Sequence, residues 1–208
     1  MPAGDREAIF AEIHRDWAWG GDESRSGPGS GLERTAELRD ALAGLLGRLG
    51  TKVLLDAGCG DFHWMQAADL PAERYVGVDV VGDLVAANRR RYGRRFSRRR
   101  RFVHADIVCD DLPRADLVLC RECLMHLSDD EVVRAVRNLR RTGAEYLLAT
   151  TFEARENVDI PTGGWRPINL QAPPFGFPAP VEAIPDVPLD GDARDKRLSL
   201  WRFADLPT

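Results

Sequence analysis

Lysine is almost missing from this chain of 208 residues: Lys52 and Lys196 are the only two, and the other 27 basic residues are arginine. Cysteine is scarce as well. Cys59, Cys109, Cys120 and Cys123 are too few to form a disulfide scaffold for a chain of this length. No run of about 18 apolar residues occurs, which excludes a transmembrane helix, and no membrane partner is expected. The opening MPAGDREAIF has neither the basic stretch nor the apolar run of a secretory signal, so a cytoplasmic location is expected. Internal repeats are absent. What is present is 44% hydrophobic and 30% charged residues, the balance of a chain that folds around one core. A single domain over residues 1–208 is expected: a helical cap (1–50), a core (51–152) and a closing segment (153–208).

The net charge of −4 is unevenly spread. Nine arginines fall between Arg89 and Arg101 with no acid among them, leaving the remainder strongly acidic. Such a strip could neutralise phosphates. It has no flanking lysines and no appended RNA-binding module, and a solvated connection explains it equally well. A nucleic-acid partner is therefore not expected.

Ile9, Phe10, Ile13 and Trp17 recur at helical spacing, predicting a helix over 5–17. Residues 18–31 (AWGGDESRSGPGSG) form a loop by composition, and leucines over 32–49 predict a second helix ending at Gly47 or Gly50. From residue 52 short apolar runs alternate with helical segments. VLLDAG, YVGVDVV, RFVHADI, ADLVLC and EYLLATTF read as buried strands; WMQAADL, GDLVAANRRR and DDEVVRAVRNLRR read as the helices between them. That alternation predicts an α/β fold, a doubly wound and mostly parallel sheet covered on both faces. Residues 153–192 hold eight prolines and break the pattern, predicting an ordered loop, and KRLSLWRFADL reads as an alternating strand at an antiparallel sheet edge.

Three strand ends carry the chemistry. After Asp56 the first strand opens into Gly58-Cys59-Gly60, where glycine lets the backbone turn and approach a ligand. Phe62 and His63 stand where a dinucleotide turn needs a third glycine, which argues against a pyrophosphate. Asp79 ends the next strand, 19 residues beyond Gly60, and its carboxylate can accept from both hydroxyls of a ribose. Asp106 follows, able to accept from an adenine amino group while the Ile107 N–H faces a ring nitrogen.

With DAGCGD, VGVDVV, HADI and ADLVLCRECLMHL in place, residues 51–152 resemble the class I S-adenosylmethionine-dependent methyltransferases. The resemblance implies a seven-stranded Rossmann-like sheet with an antiparallel last strand and S-adenosyl-L-methionine as cofactor. It places Asp56, Gly58 and Gly60 around the methionine part, Asp79 with Val80 at the ribose, and Asp106 with Ile107 at the adenine; Arg121 joins the same site. The flanking Trp19-Gly20, Ser24–Ser30 and Trp165-Arg166-Pro167-Ile168-Asn169-Leu170 resemble a narrower bacterial group of small methyltransferases. In the first flank Trp19, Ser26, Gly27 and Ser30, with the planar fork of Arg25, are expected to hold the cofactor carboxylate.

His126, with an ordinary pKa near 6.5, is the candidate base for a hydroxyl or ammonium acceptor, and Glu122 could orient it or bind a cation. Trp165, Arg166 and Asn169 are the candidate substrate contacts. Cys120-x-x-Cys123 has no second pair at metal-ligand spacing, so no metal is expected. The expected reaction is methyl transfer to oxygen or nitrogen of a small polar metabolite. Methylation of RNA or protein through the arginine strip, and non-catalytic cofactor binding by a regulator, are the alternatives. The oligomeric state is left open.

Overall fold

A computed structural model describes residues 3–93, 99–186 and 195–207. Helices α1 (Ala3–Arg15) and α2 (Ala36–Leu49) precede strand β1 (Val53–Ala57). Strand β2 (Arg74–Asp79), helix α3 (Gly82–Tyr92), strand β3 (Arg100–His104) and strand β4 (Leu117–Cys120) follow. Helix α4 (Asp129–Arg140) and strands β5 (Tyr146–Phe152), β6 (Glu182–Pro185) and β7 (Lys196–Arg202) complete the chain. The seven strands form one sheet in the order β3-β2-β1-β4-β5-β7-β6. The first five are mutually parallel; β7 runs antiparallel to β5 and β6 antiparallel to β7.

Strand alternation divides the core between the two faces. Leu54, Leu117, Leu119 and Leu148 pack with Leu38, Leu42, Leu45 and Leu46 of α2. Leu55, Val118, Leu147 and Ala149 pack with Val132, Ala135, Val136 and Leu139 of α4, joined by Phe175, Phe177 and Trp201. Strands buried on both faces are why their sequences read as unbroken apolar runs.

Several elements depart from the sequence reading. WMQAADL forms only a 3₁₀ turn, Met65–Ala67, not a helix. The adjacent Trp64 and Met65 are both buried in the α2-side core, so this face is already covered and a regular helix is not needed there. The proline-rich segment expected as a loop contains β6, an edge strand in which Ile184 alone is buried, so no alternation marks it; β6 covers the final strand β7, which is therefore not the sheet edge. The first helix stops at Arg15, and β3 stops at His104, two residues before Asp106. The arginine strip flanks the opposite sheet edge. Arg89–Arg91 end α3 and Arg99–Arg101 lead into β3; Arg94, Arg95 and Arg98 lie outside the described residues. Among the described arginines, Arg89 Nε donates to the Phe102 carbonyl at 2.8 Å, Arg91 lies over the Tyr92 ring and Arg100 lies over the Phe62 ring.

Candidate functional site

The carboxyl ends of β1, β2 and β4 converge on a cavity, the place where open α/β sheets bind small molecules. The turn after β1 forms its floor. Gly58 and Cys59 donate their N–H groups to the Val78 carbonyl at 2.9 and 3.0 Å, folding the turn back onto β2. Gly58 and Gly60 have φ of +78° and +55°. A Cβ at Gly58 would lie 2.6 Å from Cys123 Sγ, and one at Gly60 would collide with Ser26 Oγ. Both positions therefore require glycine for conformation and for space.

Asp79 stands at the end of β2 beside this turn. Its carboxylate accepts from the N–H of Gly60 and of Val81, each at 3.0 Å. Burial raises its pKa, and those amides oppose the rise. A carboxylate has about four acceptor positions, so capacity remains toward the cavity, where a pair of ribose hydroxyls would find acceptors. Asp106 lines the same cavity. It accepts from the Val108 N–H at 2.9 Å and from Arg6 Nε at 2.6 Å. Arg6 is 1% exposed and also reaches Glu131 at 2.7 Å.

The opposite wall follows β4. Glu122, at φ +49°, faces the cavity beside Arg121 and Lys196. Arg121 donates to both oxygens of Asp186, at 2.8 and 3.0 Å, and to the Gly29 carbonyl at 2.9 Å. Lys196 contacts Glu122 and lies 3.2 Å from Asp186. Burial alone would raise the Glu122 pKa, but Arg121 and Lys196 overcome it and hold the carboxyl at about 2. His126, 8% exposed, donates from Nδ1 to the Gly164 carbonyl at 2.8 Å and stacks on Trp19 with ring centroids 4.6 Å apart. A carbonyl can only accept, so the proton of the neutral ring sits on Nδ1 and Nε2 is the basic nitrogen. Burial lowers the pKa of His126; the Gly164 carbonyl and Glu122 partly offset this.

With that geometry established, residues 54–144 match the family model for a methyltransferase domain. Over those residues the chain is similar to methyltransferase domains. The N-methyltransferase NodS from Bradyrhizobium japonicum is similar over 85% of this chain and 98% of its own, at 18% identity and TM-score 0.56. The mitomycin 7-O-methyltransferase MmcR is similar over 85% of this chain and 55% of its own, at 18% identity and TM-score 0.60. The [4+2]-cyclase SpnF is similar over 74% of this chain and 58% of its own, at 25% identity and TM-score 0.52. The chain thus spans little more than half the length of the last two. These likenesses carry the fold, and no curated protein matches the sequence.

Of the residues singled out from sequence, the fold brings Trp19, Ser26, Ser30, Gly58, Gly60, Asp79, Val80, Asp106, Ile107, Arg121, Glu122 and His126 to the cavity wall. Six do not reach it. Asp56 is turned onto the Tyr75 hydroxyl, which donates to it at 2.6 Å, and burial pushes its carboxyl up to about 7. Arg25 lies over the Trp17 ring, because the loop is pinned through Ser24 Oγ and the Arg25 N–H to Asp61. Gly27 shapes the outer side of the same loop.

Trp165 is 59% exposed, with its ring edge-on to Phe152. Arg166 is buried against Asp129 at 2.6 Å and donates to the carbonyls of Leu127 and Val158. Asn169 donates to the carbonyls of Glu153 and Arg155. In a proline-rich segment with few backbone pairings, these polar side chains satisfy the main chain.

The sequence reading missed the contribution of α1. Arg6, Phe10 and His14 all line the cavity, and their four-residue spacing puts them on one helical stripe. Only the apolar members of that helix had signalled anything. Cys123 also lines the cavity, while Cys120 is fully buried in the core.

Proposed function

We propose that this chain is an S-adenosylmethionine-dependent methyltransferase acting on a hydroxyl of a small molecule. The observation that carries this reading is His126, fixed through Nδ1 to Gly164 and lining the same cavity as the glycine turn and Asp79. The residues fit the cofactor: Gly58 and Gly60 line the cavity with bare backbone, and Asp79 offers a carboxylate to the ribose. Ile107 and Asp106 provide a donor and an acceptor at the base. S-adenosylmethionine supplies a methyl group on a positively charged sulfur when bound.

The chain's own residues then perform three tasks. Asp79 and Asp106 hold the nucleoside end, and the glycine turn aligns the methionine part. Phe10, Trp19, Trp64 and Leu127 wall the cavity with apolar surface, which restricts water around the acceptor. His126 Nε2 takes the proton that an acceptor hydroxyl loses on methylation. Oxygen is favoured over a cationic amine because Glu122 already faces Arg121 and Lys196 and has no spare charge for an ammonium. The apolar lining favours a small acceptor over RNA or protein, and a cytoplasmic location fits such a role.

The test is transfer of labelled methyl from S-adenosylmethionine to panels of neutral hydroxyl compounds, amines and bulk RNA. Label in hydroxyl compounds is the expected result. Label confined to amines or RNA would overturn the acceptor class.

A further inference from the structure

Arg6 has no place in the roles just described, yet it is among the most deeply buried side chains of the domain. A guanidinium is buried only when its donors are matched, and here they are matched across three parts of the fold. Nε meets Asp106 at 2.6 Å, NH1 meets Glu131 of α4 at 2.7 Å, and NH2 lies 3.4 Å from Cys109 Sγ. The path continues beyond Glu131. Its second carboxylate oxygen accepts from the Thr162 hydroxyl, and that hydroxyl accepts from the Ser128 N–H at 3.2 Å. The next residue, Gly163, donates its N–H to the His126 carbonyl at 2.9 Å, and Gly164 holds the His126 ring. Hydrogen bonds and adjoining backbone thus run from Asp106 to His126 through Arg6, Glu131 and Thr162. Ile9 and Ile13 of α1 press on the same turn: a Cβ at Gly163 would lie 2.5 Å from Ile9 Cγ2.

We propose that Arg6 is a positioning residue that joins the nucleoside end of the cavity to the turn that aims His126. The proposal rests on the functional reading above, since it takes Asp106 as a cofactor contact and His126 as the base. One bidentate cation thereby sets the distance between the two halves of the reaction, and α1 is held down by the same contact. The charge that bears on His126 is Glu122; Trp19 on its face and the Gly163–Gly164 turn bring none, and the Arg166–Asp129 pair beyond the turn is neutral as a unit.

The test uses S-adenosylhomocysteine as the probe and needs no acceptor. Arg6→Met and Thr162→Val are compared with the parent by calorimetric titration and by NMR titration of the His126 ring. Arg6→Met is expected to weaken S-adenosylhomocysteine binding about tenfold, the scale of a lost charged hydrogen bond. It is also expected to move the His126 titration up toward its ordinary value, as the loosened turn admits water. Thr162→Val cuts the path on the far side, so it is expected to move His126 while binding stays at the parental level. If Arg6→Met does not fold, Thr162→Val decides alone. A His126 titration unchanged in every folded variant would overturn the proposal, whatever happens to binding. Failure of the parent to bind the probe would instead defeat the functional reading, and the His126 comparison would still test the connection.

Discussion

His126→Ala is expected to lower kcat by about 10²- to 10⁴-fold, the usual contribution of a positioned general base. Binding of S-adenosylmethionine should be unaffected, because Asp79, Asp106 and the glycine turn do not use His126. The pH dependence follows from the direction of its shift. Burial places the pKa of His126 below 6.5, so the ring is neutral and basic at pH 7. The parent rate should rise with pH through that lowered value and level off above it. Below it, the protonated ring cannot accept from the hydroxyl. In His126→Ala this limb should vanish. Steady-state kinetics over pH 5–9 would measure both effects. A loss of less than tenfold, with the limb intact, would mean that alignment alone drives transfer and that His126 merely packs on Trp19.

Lys196→Met is expected to destabilise the fold by about 3–5 kcal/mol, the cost of leaving a buried charge without its partner. Lys196 is 4% exposed and sits between Glu122 and Asp186, while Arg121 spans the same two carboxylates from the other side. The four charges balance. Removing the ammonium leaves a buried negative charge, and the Glu122 carboxyl, now held at about 2, must rise. Adding Glu122→Gln restores the balance, so the double variant should recover most of the loss. Urea unfolding of the parent, both single variants and the double variant closes this cycle. A cost below about 1 kcal/mol for Lys196→Met would place the cluster with solvent-screened surface pairs.

The cavity floor was legible because its chemistry is local. Asp79 and the Gly58–Gly60 turn follow directly from apolar strands, and a strand end in a parallel sheet has a known place in the fold. His126 was legible for the same reason, lying just after β4. The charge cluster was not, because it is assembled from positions far apart in sequence. Lys196 opens an alternating strand and Asp186 follows a four-residue edge strand, so neither stands out until β7 pairs with β5. Arg6 is hidden differently: an arginine in an amphipathic helix ordinarily faces water, and only the folded chain brings Asp106 and Glu131 to meet it. Arg166 and Asn169 show the reverse error. Their motif is conspicuous, yet what it supplies is hydrogen bonds to the backbone of a segment that lacks regular pairing.

The most direct test of the account is calorimetric titration of the purified chain with S-adenosylmethionine, repeated on Asp79→Ala. Saturable one-to-one binding by the parent, and loss of most of that affinity in the variant, is the predicted result. Absence of binding by the parent, or equal affinity in both proteins, would contradict the assignment of the cavity to this cofactor.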